Sequence, residues 1–434
     1  MPYDILFELL SYLSAIEFSS LLSCCKPLHR YMREPSIWQR LSAHYGLRDT
    51  TYFHGLSFYI LYTRLLHPYG PLIGLWASDY PYSGHIMEFR LLVGDEDEQG
   101  GIVGDAWDFS SSLAVHRIPR QPTYTRKLKI EFAVDGDGEG VSVTELEPPV
   151  ALIRTYCRST HRVGSKEHHD AMRHCAKLEV CPSSYQGHYL QHYRRTFPHP
   201  DFPSEDADWQ DDERDSHRLK PCMPTTIDQR EVVRIYPAVR LPIVFTAPTA
   251  CLKPRSISFR CLDQGCTQFQ STSLPFDNLS PILLRYYPLK HLIQSGVDPS
   301  DAQWSLQTLA GLWLGCYGLS GTECLHLAWV EERDTLEAFK ITGDVHVPRG
   351  ARTWIIPAHF DGSHSLAADA TRFESQSNIE RLFVDTGFIS ERGFLDIRVR
   401  LLIGVTGADE LQIWWDIINE VRRYIRYKGR DGMS

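Results

Sequence analysis

The first 46 residues carry more apolar helical face than a unit of that size can bury on its own. Pro2 suits a first helical position, and Ile5, Leu6, Leu9, Leu10 and Leu13 follow it along one face of a helix. Ser14 and Glu17 have the spacing of a capping box, so a second helix is expected to carry Phe18, Leu21, Leu22 and Cys25 inward. Pro27 restarts a turn with Leu28, Tyr31 and Met32, and Pro35 restarts another with Trp38 and Leu41, ended by Gly46. Periodicity leaves two readings open. These helices cap the rest of the chain, or they offer an apolar face to a permanent helical partner.

The run Pro2-Tyr3-Asp4-Ile5-Leu6, then Leu21-Leu22-Ser23-Cys24-Cys25-Lys26, Leu28-His29-Arg30 and Pro35-Ser36-Ile37-Trp38, resembles an F-box. Met1 stands where that family usually has Leu. The resemblance implies docking on the Skp adaptor of a cullin ubiquitin ligase. The implied adaptor-binding residues are Pro2, Ile5, Leu6, Leu9, Leu13, Leu21, Leu22, Cys25, Leu28 and Trp38.

A chain of 434 residues with 43% hydrophobic and 12% aromatic content can fill large cores, which argues against wholesale disorder. Its net charge of −9 and lack of a dominant basic block make nucleic acid an unexpected partner. The apolar run Leu241–Cys251 is short and broken by Pro242 and Pro248, so no membrane span is expected. The N-terminus lacks the pattern of a signal peptide, and eleven cysteines without regular spacing read as reduced thiols. A cytoplasmic or nuclear location is therefore expected.

Past the helical start, Tyr52–Leu66 reads as one more helix, and alternation then predicts strands near Leu72–Trp76, Ile86–Val93, Leu128–Val134 and Val141–Leu146. Residues 157–225, rich in His, Asp, Ser and Pro, read as an insertion. Strands are expected again at Arg230–Arg240 and Ile257–Cys261, and a helix near Ser280–Ile293. One internal repeat stands out. Gly74-Leu75-Trp76 with Tyr80, Ser83 and Gly84 recurs as Gly311-Leu312-Trp313 with Tyr317, Ser320 and Gly321, six identities in eleven positions. Two related hairpins so far apart suggest one sheet closed on itself, since closure joins distant strands and removes edges. A meander follows the second copy through Leu336–Thr342 and Thr353–Pro357, with late strands at Gly387–Ile389 and Leu395–Ile403. Residues 411–425 fit a helical stripe and a closing strand equally well.

Gly311-Leu312-Trp313, Lys340-Ile341-Thr342-Gly343-Asp344 and Val347-Pro348-Arg349-Gly350 resemble the barrel of the F-box only family that binds D-type cyclins. Gly74-Leu75-Trp76, Gly387, Gly393 and Trp414 or Trp415 stand in similar order. The resemblance implies an antiparallel barrel that grips an extended tail of its target, and it favours strands at 411–425.

Histidine and cysteine concentrate between 157 and 222, which holds eight of the nineteen histidines and four of the cysteines. Cys157, His161, Cys175 and Cys181 could supply four ligands to a structural zinc ion, although no Cys-x-x-Cys pair occurs; surface loop histidines are the competing reading. Asp135–Gly140 imitates the start of a calcium loop, but its twelfth position is Leu146, so a hairpin turn is expected. The motifs of serine hydrolases, phosphate-binding loops and zinc proteases are absent from the sequence. Trp76, Trp313 and Tyr317 are expected to fill a barrel core or to wall a binding mouth; Lys340, Thr342, Asp344 and Arg349 could meet a target at the rim, and Lys340, Thr342 and Asp344 fit a turn with an exposed lysine equally well.

The sequence thus predicts an α+β chain. An F-box spans 1–46, a helical linker 47–70, and a mainly antiparallel β-barrel 71–427 with its His/Cys-rich insertion at 157–225, followed by a tail at 428–434. The expected role is a non-catalytic substrate-recognition subunit of a Skp–cullin–F-box ubiquitin ligase. It would need no cofactor beyond a possible structural zinc. The alternative is a lipocalin-like barrel for a small ligand, capped by the helices.

Overall fold

The computed structural model describes residues 3–9, 12–13, 15–78, 85–109, 119, 121–132, 149, 151–157, 172–180, 257–261, 285–289, 296–316, 322–342, 352–358, 372–373, 379–390 and 396–430. It opens with short helices α1 (Tyr3–Leu9), α2 (Ala15–Ser23), α3 (Lys26–His29) and α4 (Pro35–Ala43). Proline holds an early position in α3 and in α4, where its missing N–H costs nothing. A linker helix begins at Ser57, whose hydroxyl caps the Ile60 amide. It runs as α5 (Phe58–Leu61), widens to π-helical turns over Tyr62–Leu66 and ends as α6 (His67–Tyr69).

This layer is locked by Trp38. The indole is fully buried, donates to the Met32 carbonyl at 2.6 Å, and meets Tyr59 edge-on at 5.1 Å and Tyr62 at 5.5 Å. The linker in turn docks on the sheet, where the Gly100 amide donates to the Tyr52 carbonyl at 2.7 Å. One continuous apolar core therefore runs from Leu6, Phe18 and Trp38 through Tyr62 and Leu66 to Trp76, Phe89 and Phe259.

The strands close into two barrels, and the expected single closed sheet is corrected accordingly. The first comprises β1 (Gly74–Ser78), β2 (Ile86–Leu92), β3 (Gly101–Asp108), β4 (Thr123–Phe132), β5 (Ala151–Cys157), β6 (Met172–Val180), β7 (Ile257–Cys261) and β8 (Arg285–Pro288). The second comprises β9 (Gly311–Cys316), β10 (Thr322–Val330), β11 (Thr335–Lys340), β12 (Arg352–Pro357), β13 (Arg381–Ser390), β14 (Asp396–Gly407), β15 (Glu410–Trp415) and β16 (Glu420–Arg426). Every pairing is antiparallel, and β8 returns to β1 as β16 returns to β9. An eight-stranded barrel has an interior that side chains can fill, and aromatic and branched residues fill these two.

The Gly-Leu-Trp repeat is the start signal of each barrel. A 3-10 turn (Gly70–Leu72 or Leu306–Leu309) leads into a glycine with φ of +121° at Gly74 and +133° at Gly311, backbone that side-chain-bearing residues avoid. The tryptophan two residues on is fully buried and donates back to the fourth residue before it, Trp76 to Leu72 at 2.6 Å and Trp313 to Leu309 at 2.9 Å. The intervening leucine faces outward, and its carbonyl accepts from the residue just past the last strand. Leu289 bonds Leu75 and Tyr427 bonds Leu312, each at 2.8 Å. The two outward faces then meet: Leu75, Ala77, Ile86 and Leu289 of one barrel pack with Leu312, Leu314, Cys324 and Tyr427 of the other. The interface is self-complementary in the manner of a twofold dimer, within one chain.

Further differences follow from this duplication. Met172–Val180, inside the expected insertion, is a stave of the first barrel, and the remainder of 157–225 lies outside the described residues apart from Cys157. Within the expected helix at 280–293, Arg285–Pro288 is a strand. Residues 411–425 fall in a strand pair, as the family resemblance implied and the helical stripe did not. The acidic-glycine stretch at 135–140 and the strands expected at 141–146 and 230–240 lie outside the described residues.

The linker predicts a pH response. Burial lowers the pKa of His67 from 6.5 to about 4, so between those values the unfolded chain takes up a proton that the folded chain excludes. This contribution is intact above pH 6.5 and is lost as pH falls toward 4. Urea unfolding at pH 7 and pH 5 should show a smaller acid-induced loss in His67→Gln than in the natural chain. An equal loss in both would contradict the assignment.

Candidate functional site

Two surfaces remain after the cores are filled. On the helical layer, Leu6, Leu22 and Trp38 are fully buried, so these three expected contacts hold the layer together instead of facing out. Ile5 is half exposed and Tyr12 is 81% exposed, while Leu9, Leu13, Leu21 and Leu28 are partly covered and Cys25 is exposed. Ile5 and Leu9 lie four residues apart on α1 and share a face. The layer both packs onto the first barrel and keeps an apolar strip uncovered. Pro2 lies outside the described residues.

The second surface belongs to the second barrel. Its near end is plugged. The Arg426 guanidinium lies 4.6 Å above the Trp313 ring and donates to the carbonyls of Thr308 and Ala310, each at 2.7 Å, and to Asp409 at 2.9 Å. Burial pushes the Arg426 pKa down, against the field of Asp409.

Toward the far end the interior becomes polar. Lys340 is 2% exposed and its Nζ sits 3.3 Å from Glu323, whose other oxygen accepts from the Tyr424 hydroxyl. The expected rim cation is thus a neutralised group in the core, and reversing its charge would be a core lesion instead of a surface change. Trp76 and Trp313 are likewise core and do not wall a mouth. Thr342 accepts from the Cys324 amide at 2.9 Å. Tyr317, Asp344 and Arg349 lie outside the described residues.

Pattern reading did not single out the pair that gives this end its chemistry. Trp354 pairs in register with Gly387, and the Trp415 ring lies against the same glycine, where a Cβ would strike it. Both indoles are at most 4% exposed, and among the described residues neither Nε1 has a hydrogen-bond partner. Buried polar groups in folded proteins are paired as a rule, so two donors without a partner among the described residues depart from that rule. Asp385 stands one row away, opposite Leu401, which pairs with Trp415; burial raises its pKa, with Thr386 opposing. Alternation along Leu411, Ile413 and Trp415 carried this signal, but the overlapping helical stripe masked it.

Of the candidate zinc ligands, Cys157 ends β5 opposite Met172 and Cys175 lies in β6 opposite Arg154. The two positions are three residue steps apart, on the order of 10 Å along the strands. His161 and Cys181 lie outside the described residues. Among the described residues no group of three or more His, Cys, Asp or Glu could hold a metal ion, and no helix is long and apolar enough to cross a membrane.

Comparison with known families matches residues 1–40 to the F-box domain and residues 294–406 to the cyclin D1 binding domain. The chain carries an F-box and a cyclin D1 binding domain. F-box only protein 31-B of Xenopus laevis is 33% identical over 89 residues, 19% of this chain and 17% of that protein. F-box only protein 31 of Rattus norvegicus and of Mus musculus are each 30% identical over 134 residues, 28% of this chain and 26% of theirs. The matched part of the chain thus spans about a quarter or less of the length of these relatives. The F-box coincides with the helical layer, and the cyclin D1 binding match runs from the segment before β9 into β14. Strands β15 and β16, which close the barrel and supply Trp415 and Tyr424, lie beyond it.

The two kinds of buried tryptophan should respond differently to loss of the indole donor. Trp313→Phe breaks a made bond and strands the Leu309 carbonyl, which should cost about 1–3 kcal/mol beyond the change in ring size. Trp354→Phe removes a donor with no partner and should cost markedly less. Equal destabilisation of both in urea unfolding would show that the Trp354 N–H is satisfied within the chain.

Proposed function

We propose that this chain is the substrate-recognition subunit of a Skp–cullin–F-box ubiquitin ligase. The observation that carries the proposal is the exposed pair Ile5 and Tyr12 with partly covered Leu9, flanked by Leu13, Leu21 and Leu28, on helices whose opposite face is fixed by Trp38. Large side chains held against water on a rigid support suit a permanent helical partner such as the Skp adaptor. The second barrel then holds the target. A D-type cyclin is the target class that the family match suggests.

On this reading the chain performs no chemistry. It raises the effective concentration of the target's lysines near the ubiquitin-loaded carrier. Ile5→Asp combined with Leu9→Asp should weaken adaptor capture at least tenfold in a binding titration, with the unfolding midpoint little changed because both residues are at or near the surface. Undiminished capture would refute the docking face.

A further inference from the structure

The segment after β16 leaves its own barrel and is gripped by the other. Tyr427 is 2% exposed, its ring centroid lies 4.5 Å from that of Trp107, and its hydroxyl is 3.3 Å from that of Tyr124. Three residues on, the Arg430 guanidinium lies 3.6 Å from the Tyr124 ring centre and donates to Glu88 at 2.8 Å and to Asp105 at 2.7 Å. Trp107, Tyr124, Glu88 and Asp105 all belong to the outer face of the first barrel. The equivalent position after β8, Leu289, makes the matching bond to Leu75.

The anchor joins a wider network of ion pairs. Asp105 is 4% exposed and also pairs with Arg90 at 3.3 Å, and Arg126 approaches it at 3.8 Å. Arg126 continues to Glu98, which pairs with buried Lys129 at 3.0 Å, and Lys129 pairs with Glu131 at 2.9 Å. Removing Arg430 would leave Glu88 and Asp105 short of one cation at the rim of a partly buried network. Burial opposes the Arg430 charge, but the bond it donates to Glu88 and the fields of Glu88 and Asp105 outweigh it and raise its pKa.

We propose that Tyr427 and Arg430 form a positioning latch that fixes the cyclin D1 binding barrel on the first barrel, which shares its core with the F-box. The latch sets how a bound target stands relative to the adaptor. This rests on the proposed receptor function for its consequence, but not for its mechanics.

The test uses the full chain with Arg430→Glu, which opposes Glu88 and Asp105, and with the conservative Arg430→Lys. Hydrogen exchange reads the latch directly. In Arg430→Glu the amides of Leu312–Leu314 and Tyr427 should exchange at least tenfold faster, while those of β4 and β14 keep their protection. Arg430→Lys should restore most of the difference. In a reconstituted ligase, adaptor and target capture should stay within twofold for Arg430→Glu, while the set of target lysines modified, read by mass spectrometry, broadens. Unchanged exchange at Tyr427 overturns the latch, whatever the ligase assay shows. Loosened exchange with an unaltered lysine pattern overturns its positioning role. Failure of adaptor capture by the natural chain refutes the receptor reading and leaves the exchange result standing.

Discussion

The bond from the Trp76 indole to the Leu72 carbonyl, 2.6 Å long inside a fully buried site, is the hinge on which this molecule is organised. It sits where the helical layer ends and the first sheet begins. On one side the core continues to Trp38 and the helices; on the other it becomes the barrel interior. Gly74 makes the bond possible, because only a backbone with positive φ turns the chain sharply enough to bring the ring back under the 3-10 turn. The same device at Gly311 and Trp313 starts the second barrel. Helices and barrels are thereby joined through packed side chains, not through a free linker.

Duplication of one architecture has not duplicated its chemistry. In the first barrel Trp76 bonds to Leu72 and Trp107 to Glu88, and its core is continuous with the helices that it supports. In the second, Trp354 and Trp415 have donors without a partner among the described residues, and an ion pair with a tyrosine hydroxyl lies inside the wall. On the proposed function, the first barrel is a spacer and the second the receptor. Tyr427 and Arg430 hold the two in register.

Much of this was legible in the sequence, and the failures are instructive. The helical layer followed from prolines and spacing, and the strand pair at the C-terminus followed from family resemblance where periodicity was ambiguous. The Gly-Leu-Trp repeat was visible but was read as two hairpins of one closed sheet. Six identities report a shared local device, and that device serves equally well to close one barrel or to start two. Lys340, expected at a strand end, reads as a rim residue, yet its partner Glu323 is seventeen residues earlier on the neighbouring strand and only register reveals the pair. The F-box resemblance puts Trp38 on the docking face, but the indole is fully buried in the core of the small helical layer.

On the proposed function, the adaptor engages the helical layer and the target engages the second barrel. Hydrogen exchange on the full chain, alone and with the purified Skp adaptor, tests it most directly. The account predicts new protection confined to residues 3–29, with the amides around Trp354, Gly387 and Trp415 unchanged until a target peptide is added. Adaptor-induced protection in the second barrel, or none in the helical layer, would contradict it.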